Sequence, residues 1–106
     1  MFKQEKVTDL VKVLASKFLA EEANRNTLIT VTSAKVTKDM SRAWIFFTVY
    51  PEQFEKDALA FAKRKRSEFR EYVEQNARLR KVPFFEFEID AGEKNRQRVD
   101  EQLTKE

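Results

Sequence analysis

The residues best placed to do chemistry in this chain are cations. Between Ala58 and Lys81 stand eight basic side chains, Lys63, Arg64, Lys65, Arg66, Arg70, Arg78, Arg80 and Lys81, against three acidic ones, Glu68, Glu71 and Glu74. Eight minus three leaves that stretch at +5, whereas the whole chain of 106 residues carries only +3, so the remainder is slightly acidic. A concentrated basic stripe on a near-neutral body is the electrostatic footprint of a polyanion binder. Lys63, Arg66 and Arg70 fall at i, i+3 and i+7, along one side of a helix. There they can pair with phosphates, giving salt-dependent affinity and little choice of sequence. A solvated helix face would show the same spacing. Arg64 and Lys65 point elsewhere on an unbroken helix and join the group only if the helix bends. Arg78, Arg80 and Lys81 close the same helix, where cations also suit the negative end of the dipole. Lys38 and Arg42 flank a turn and can reach phosphate from a loop, although charges beside turns commonly do no more than solvate it.

Covalent and acid–base chemistry finds much less to work with. The chain has no His and no Cys. Disulfides, Ser/His and Cys/His nucleophile pairs and a histidine general base are excluded, and the commonest zinc, haem and iron–sulfur ligands are missing. Carboxylate, lysine or tyrosine chemistry remains, but nothing in the sequence brings two carboxylates together. Gly92 is the single glycine, so neither a phosphate-cradling loop nor a dinucleotide fingerprint can be written. The expectation is a protein that is not an enzyme and needs no cofactor or metal. No apolar run approaches membrane-spanning length and the N-terminus lacks an apolar signal core, so a soluble cytoplasmic protein without membrane contact is expected.

The elements that must position these cations follow from apolar periodicity. Val7, Leu10, Val11, Leu14 and Phe18 repeat at helical spacing, which predicts an amphipathic helix over residues 2–23. Leu28 to Thr37, rich in Thr and Val, reads as a strand. Its apolar parity changes, with Ile29 and Val31 on one face and Ala34 and Val36 on the other, so a β-bulge is expected near Thr32 and Ser33. Lys38 to Arg42 supplies a turn in which Asp39 and Ser41 can bond nearby backbone. Ala43 to Tyr50 alternates with both faces largely apolar and is the expected central strand.

Pro51 is expected at the first turn of a long helix. Ala58, Phe61, Ala62, Phe69, Tyr72, Val73 and Asn76 share one side of that helix, with Lys65 near the middle of the stripe. A lysine there must snorkel, or the helix must kink within residues 63–67 so that the register resets; the kink is the preferred reading. Val82 and Pro83 end the helix. Phe84 to Ile89 follows as a third strand with Phe85, Phe87 and Ile89 on one face. Residues 1–91 form one domain, and residues 92–106 are a charged tail, expected to include a short helix in which Val99 and Leu103 are the apolar anchors.

The first two strands can form a hairpin, and the third, reached through a helical crossover, lies parallel to the second and beside it. The result is an α+β two-layer domain with a three-stranded mixed sheet, ordered helix, strand, strand, long kinked helix, strand. That is the connectivity of a type II KH module. Both helices cover one sheet face, which leaves Trp44, Phe46 and Phe84 to project on the other. Exposed aromatics there can stack unpaired bases. The plainer reading, which we prefer, is cross-strand packing, under Val99 and Leu103 of the tail.

Three sequence blocks, in order and at unchanged spacing, resemble the ribosome-binding factor A family. Residues 28–49, LITVTSAKVTKDMSRAWIFFTV, resemble its hairpin signature of a Val-Thr-Val-Thr strand, an Asp-Leu-Ser turn and an alternating apolar strand. Residues 79–90, LRKVPFFEFEID, are similar to its Leu-Arg-x-Val-Pro-x-Leu-x-Phe-x-x-Asp. Arg98 to Leu103, RVDEQL, resembles its closing Arg-Ile-Asp-x-x-Leu. The likeness runs from about Lys6 to Leu103. Two departures stand out. The family's Ala-x-Gly kink is replaced by Lys65-Arg66-Ser67, and the loop 24–27 lacks the usual Asp-Pro. The resemblance implies a KH-like fold without a GxxG loop, and a monomer that binds the small ribosomal subunit and its rRNA late in maturation. Such a factor acts near the decoding region and leaves before translation begins. It implies neither catalysis nor a cofactor. The alternative kept beside it is a protein-interaction domain that docks a partner on Trp44 and Phe46.

Overall fold

A computed structural model of the chain describes residues 4–22 and 27–92. The apolar stripe of the first segment forms helix α1, Gln4–Glu22, which buries Val7, Val11, Leu14, Ala15, Phe18 and Leu19. Two antiparallel strands follow, β1 at Leu28–Val36 and β2 at Arg42–Tyr50. Their register shifts between Val31 and Ser33, so the expected bulge is present. It returns Ala34 and Val36 to the face that Ile29 and Val31 occupy, and all four pack into one core.

Pro51 differs from expectation. It stands in extended conformation before a single 3-10 turn, Glu52–Phe54, and the α-helix begins only at Glu55. Helix α2, Glu55–Arg64, and helix α3, Arg66–Asn76, are separated at Lys65, whose φ of −95° and ψ of 8° leave the helical well. The Lys65 N–H is shared between the carbonyls of Phe61 and Ala62, at 3.2 and 3.1 Å. The expected kink is therefore a break at one residue. Strand β3, Phe84–Ile89, pairs parallel to β2 and completes a sheet in the order β1-β2-β3.

The helix was also expected to run on to Val82, but it ends at Asn76. Ala77 turns extended, at φ −141° and ψ 145°, and the Asn76 side chain donates to the Tyr72 carbonyl at 2.8 Å, a local side-chain bond of the kind that competes with continuation of a helix. Residues 77–83 then alternate, with Ala77 and Leu79 half-buried while Arg78 and Arg80 are exposed. Two apolar side chains anchored at spacing two favour an extended run over another helical turn.

Helices α1, α2 and α3 lie over one sheet face: α1 against β1, α2 against β2 and β3, and α3 against α1 and β3. The core is built around Phe69, whose ring lies 4.7 Å from that of Phe85, 5.3 Å from Phe18 and 5.6 Å from Phe87. Truncating a buried ring of this kind costs about 3–5 kcal/mol. On the opposite face Trp44 and Phe46 form a separate cluster, 4% and 0% exposed. The arrangement is the expected α+β, type II KH-like two-layer fold. The tail helix through Val99 and Leu103 falls outside the described residues.

Candidate nucleic-acid interface

The helix break brings two elements together at the start of β3. The register pairs Arg42 with Phe84 and Trp44 with Glu86, and the Phe84 N–H donates to the Ser41 carbonyl at 3.0 Å. The β1–β2 turn, the extended segment 77–83 and the first turns of α3 therefore share one rim of the sheet. Most of the predicted site residues stand along it, in two different states.

Arg66 and Arg70 are held within the protein. Arg66 pairs with Glu86 at 2.6 Å and donates through Nε to the Lys63 carbonyl at 3.0 Å. Arg70 pairs with Glu74 at 3.0 Å, donates through Nη2 to the Val82 carbonyl at 3.0 Å, and lays its guanidinium 4.8 Å from the Phe84 ring centroid. Its Nε is buried without a partner, so the two Nη groups fix the side chain. Lys65 bonds Glu68 at 3.2 Å and lies 6.0 Å from the Phe61 ring. It thus both sits at the kink and snorkels along an aromatic neighbour.

Lys63, Arg64, Lys38, Arg78 and Arg80 are in the other state. Each is exposed, and none has a side-chain hydrogen bond or ion pair among the described residues. Because α3 ends at Asn76, Arg78, Arg80 and Lys81 do not close a helix and the dipole role expected of them is absent. Lys81 instead reaches the turn, with Nζ 3.4 Å from the Asp39 carbonyl. Arg42 lies over the Trp44 ring at 4.7 Å.

The turn that carries Lys38 is well built. Buried Thr37 donates to Asp39 at 2.8 Å and accepts the backbone N–H groups of Ser41 and Arg42, while the Ser41 hydroxyl donates to Asp39 at 2.6 Å. Met40 adopts the left-handed conformation at φ 61°. Hydrogen bonds from the Ser41 and Thr37 hydroxyls and the Ser41 N–H, aided by the charge of Lys81, hold the Asp39 carboxyl down at about 2.

Three features of the rim were not read from the sequence. Glu86 as the anchor of Arg66 depends on a tertiary contact twenty residues away in the chain, which no local spacing announces. Phe84 as the seat of Arg70 depends on how α3 crosses β3. The outward display of Arg78 and Arg80 did have a signal, the alternation of Ala77 and Leu79 with the two arginines. The predicted aromatic trio divides: Trp44 and Phe46 are buried and offer no open ring to a base or a partner, whereas Phe84 is 66% exposed. Among the described residues no cluster of three or more His, Cys, Asp or Glu side chains could hold a metal, and no helix is long and apolar enough to cross a membrane.

A family model described as Ribosome-binding factor A matches residues 3–103. A ribosome-binding factor A of Geotalea daltonii is 36% identical over 96 residues, covering 87% of this chain and 78% of that protein. Another, from an Arthrobacter species, is 31% identical over 101 residues, covering 92% of this chain. This chain spans only 60% of the Arthrobacter protein's length. The crystal structure of ribosome-binding factor A from Thermus thermophilus superposes with a TM-score of 0.73 at 19% identity, covering 83% of this chain and 97% of that one. A Thermotoga maritima structure solved by NMR gives a TM-score of 0.66, also at 19% identity. The two structural likenesses show the same fold.

Proposed function

The chain belongs to the ribosome-binding factor A family, and from that premise we propose that it binds the small ribosomal subunit through its rRNA during late maturation of that subunit. The observation that carries this reading is the rim of unpartnered cations, Lys38, Lys63, Arg64, Arg78 and Arg80. Exposed cations without an internal partner are the groups that can replace condensed counterions on a phosphate backbone, which makes affinity large and steeply salt-dependent. Arg66, Arg70, Lys65 and Lys81 belong to the same surface but act first as braces that hold it in shape. Arg42 stands at its inner edge, over Trp44.

The role is binding, carried out by a monomer in the cytoplasm, with no chemical step and no cofactor. Sedimentation of the tagged protein with ribosomal particles tests it. Co-migration with small subunits at low salt, lost as salt rises and absent from translating ribosomes, is the expected result. Failure to associate with any ribosomal particle at low salt would remove the reading. Partner docking on Trp44 and Phe46 has no support in the fold, because both rings are buried.

A further inference from the structure

We infer that Phe84 is a stacking platform for one unpaired nucleobase of the bound RNA; the inference rests on the rRNA-binding reading above. Phe84 opens β3 with parity opposite to the buried Phe85 and Phe87, and its ring is 66% exposed at the rim of the sheet. The contact with Arg70 leaves most of this large aromatic open at the strand start. The Arg70 guanidinium rests against it at 4.8 Å and is itself tied to Glu74 and to the Val82 carbonyl, each at 3.0 Å. The ring is therefore braced before any ligand arrives, which lowers the ordering cost of using it as a platform.

The space beside the ring fits a base better than a phosphate. Phe84 borders a groove of about 600 Å³ shared with Arg66, Ser67, Arg70 and Glu71, within the range of small-ligand clefts. Glu74 and Glu86, which also line it, are neutralised by Arg70 and Arg66. Glu71 is exposed and has no hydrogen bond or ion pair among the described residues. An ionised carboxylate only accepts hydrogen bonds, so it repels a phosphate and suits the amino-bearing edge of a base. The phosphates on either side fall to the free cations outside the groove, with Arg80 four residues before Phe84 in the chain. Among the described residues the other exposed ring is that of Tyr50, which stands at the opposite end of β2, paired with Leu28.

The test is equilibrium binding of the intact protein to two RNA probes, a short unstructured oligonucleotide carrying a fluorescent purine analogue and a duplex of equal charge. Phe84→Leu, which keeps apolar bulk but removes the ring, should weaken binding of the single strand on the order of tenfold and leave the duplex unchanged. Phe84→Tyr should restore wild-type affinity and the quenching of the analogue. Equal single-strand affinity in wild type and Phe84→Leu overturns the inference, as does an equal loss for both probes. If Phe84→Leu binds both probes normally and still joins small subunits, stacking alone is removed. If the wild type binds neither the probes nor the subunits, the rRNA-binding reading falls with it.

Discussion

The cations at the helix break and those in the extended segment after α3 are close in sequence and opposite in use. Lys65, Arg66 and Arg70 meet Glu68, Glu86 and Glu74, and Arg70 also braces Phe84 and Val82. Arg78 and Arg80 meet nothing among the described residues. Backbone conformation accounts for much of the difference, and the arrival of Glu86 on β3 beside Arg66 for the rest. A helix carries acids three and four residues on to the same side as a cation, as in Lys65–Glu68 and Arg70–Glu74. An extended run throws alternate residues outward, while Ala77 and Leu79 hold it to the core. A count of positive charge along a chain therefore overstates the charge a surface can offer a ligand wherever an acid shares its side or arrives by a tertiary contact, whereas Lys63 and Arg64 at the end of α2 meet no such acid among the described residues.

The largest effect should come from removing the displayed group. A protein carrying Lys38→Ala, Arg78→Ala and Arg80→Ala should lose roughly a hundredfold in small-subunit affinity at low salt, with the salt slope flatter by about 3 and the denaturation midpoint unmoved. If its salt slope matched the wild type, the division between displayed and bracing cations would be wrong.

Arg70→Ala should do the reverse. It removes a charge-assisted hydrogen bond and a cation–π contact, so chemical denaturation should show a loss of about 1–2 kcal/mol, while the salt slope stays near wild type. A variant as stable as wild type would mean that Arg70 braces nothing.

A smaller effect tests whether a cation can change groups. The Arg66–Glu86 pair is partly exposed and its contribution to stability is below about 1 kcal/mol. Glu86→Gln frees Arg66, so RNA affinity should rise by about twofold to threefold, read from the same salt titration. Weaker binding would show that Arg66 works only when held by Glu86.

The smallest effect lies in the turn that carries Lys38. Asp39 sits at about 2 against an ordinary 3.8, so the fold favours its ionised form. That contribution is complete above the unfolded value and disappears as pH falls through about 2. Urea midpoints of wild type and Asp39→Asn should differ by a constant amount above the ordinary value and converge as the medium is acidified towards the lower one. A gap that persists unchanged at the acid end would show that the charge of Asp39 is not what orders the turn.

Much of this architecture can be read from residue patterns. The bulge followed from the parity change between Val31 and Ala34, and the helix break from a lysine set in an apolar stripe. The parallel third strand followed from a crossover of sufficient length. Pro83 marks a stop seven residues beyond the true end of α3 at Asn76, and the stronger signal is Ala77 and Leu79 shifting to spacing two. The division of the cations is legible only in part: Lys65–Glu68 and Arg70–Glu74 follow helical spacing, and Ala77 and Leu79 alternate with Arg78 and Arg80. The pairing of Arg66 with Glu86 and the seat of Arg70 on Phe84 depend on where β3 arrives once the chain has crossed the sheet, and spacing along one element contains nothing about that. Burial of Trp44 and Phe46 agrees with the plainer of the two readings of that face for those two rings, Phe84 departs from it, and the expected cover by Val99 and Leu103 lies outside the described residues.

The bulge has a consequence for how the domain assembles. Thr32, the residue it displaces, donates its one hydroxyl proton to Asp90 at 2.6 Å, with the Phe46 carbonyl a second, longer acceptor at 3.2 Å, so one hydroxyl joins the first strand to the end of the last across 58 residues of chain. The hairpin of β1 and β2 closes a short loop, whereas β3 must wait for the whole helical crossover to be bridged, at a greater entropic cost. The Thr32–Asp90 bond can form only after both events and so belongs to the late side of the folding barrier. Thr32→Val should accordingly speed unfolding and leave the folding rate almost untouched. The end of β3 remote from the turn is then among the last parts of the molecule to be completed.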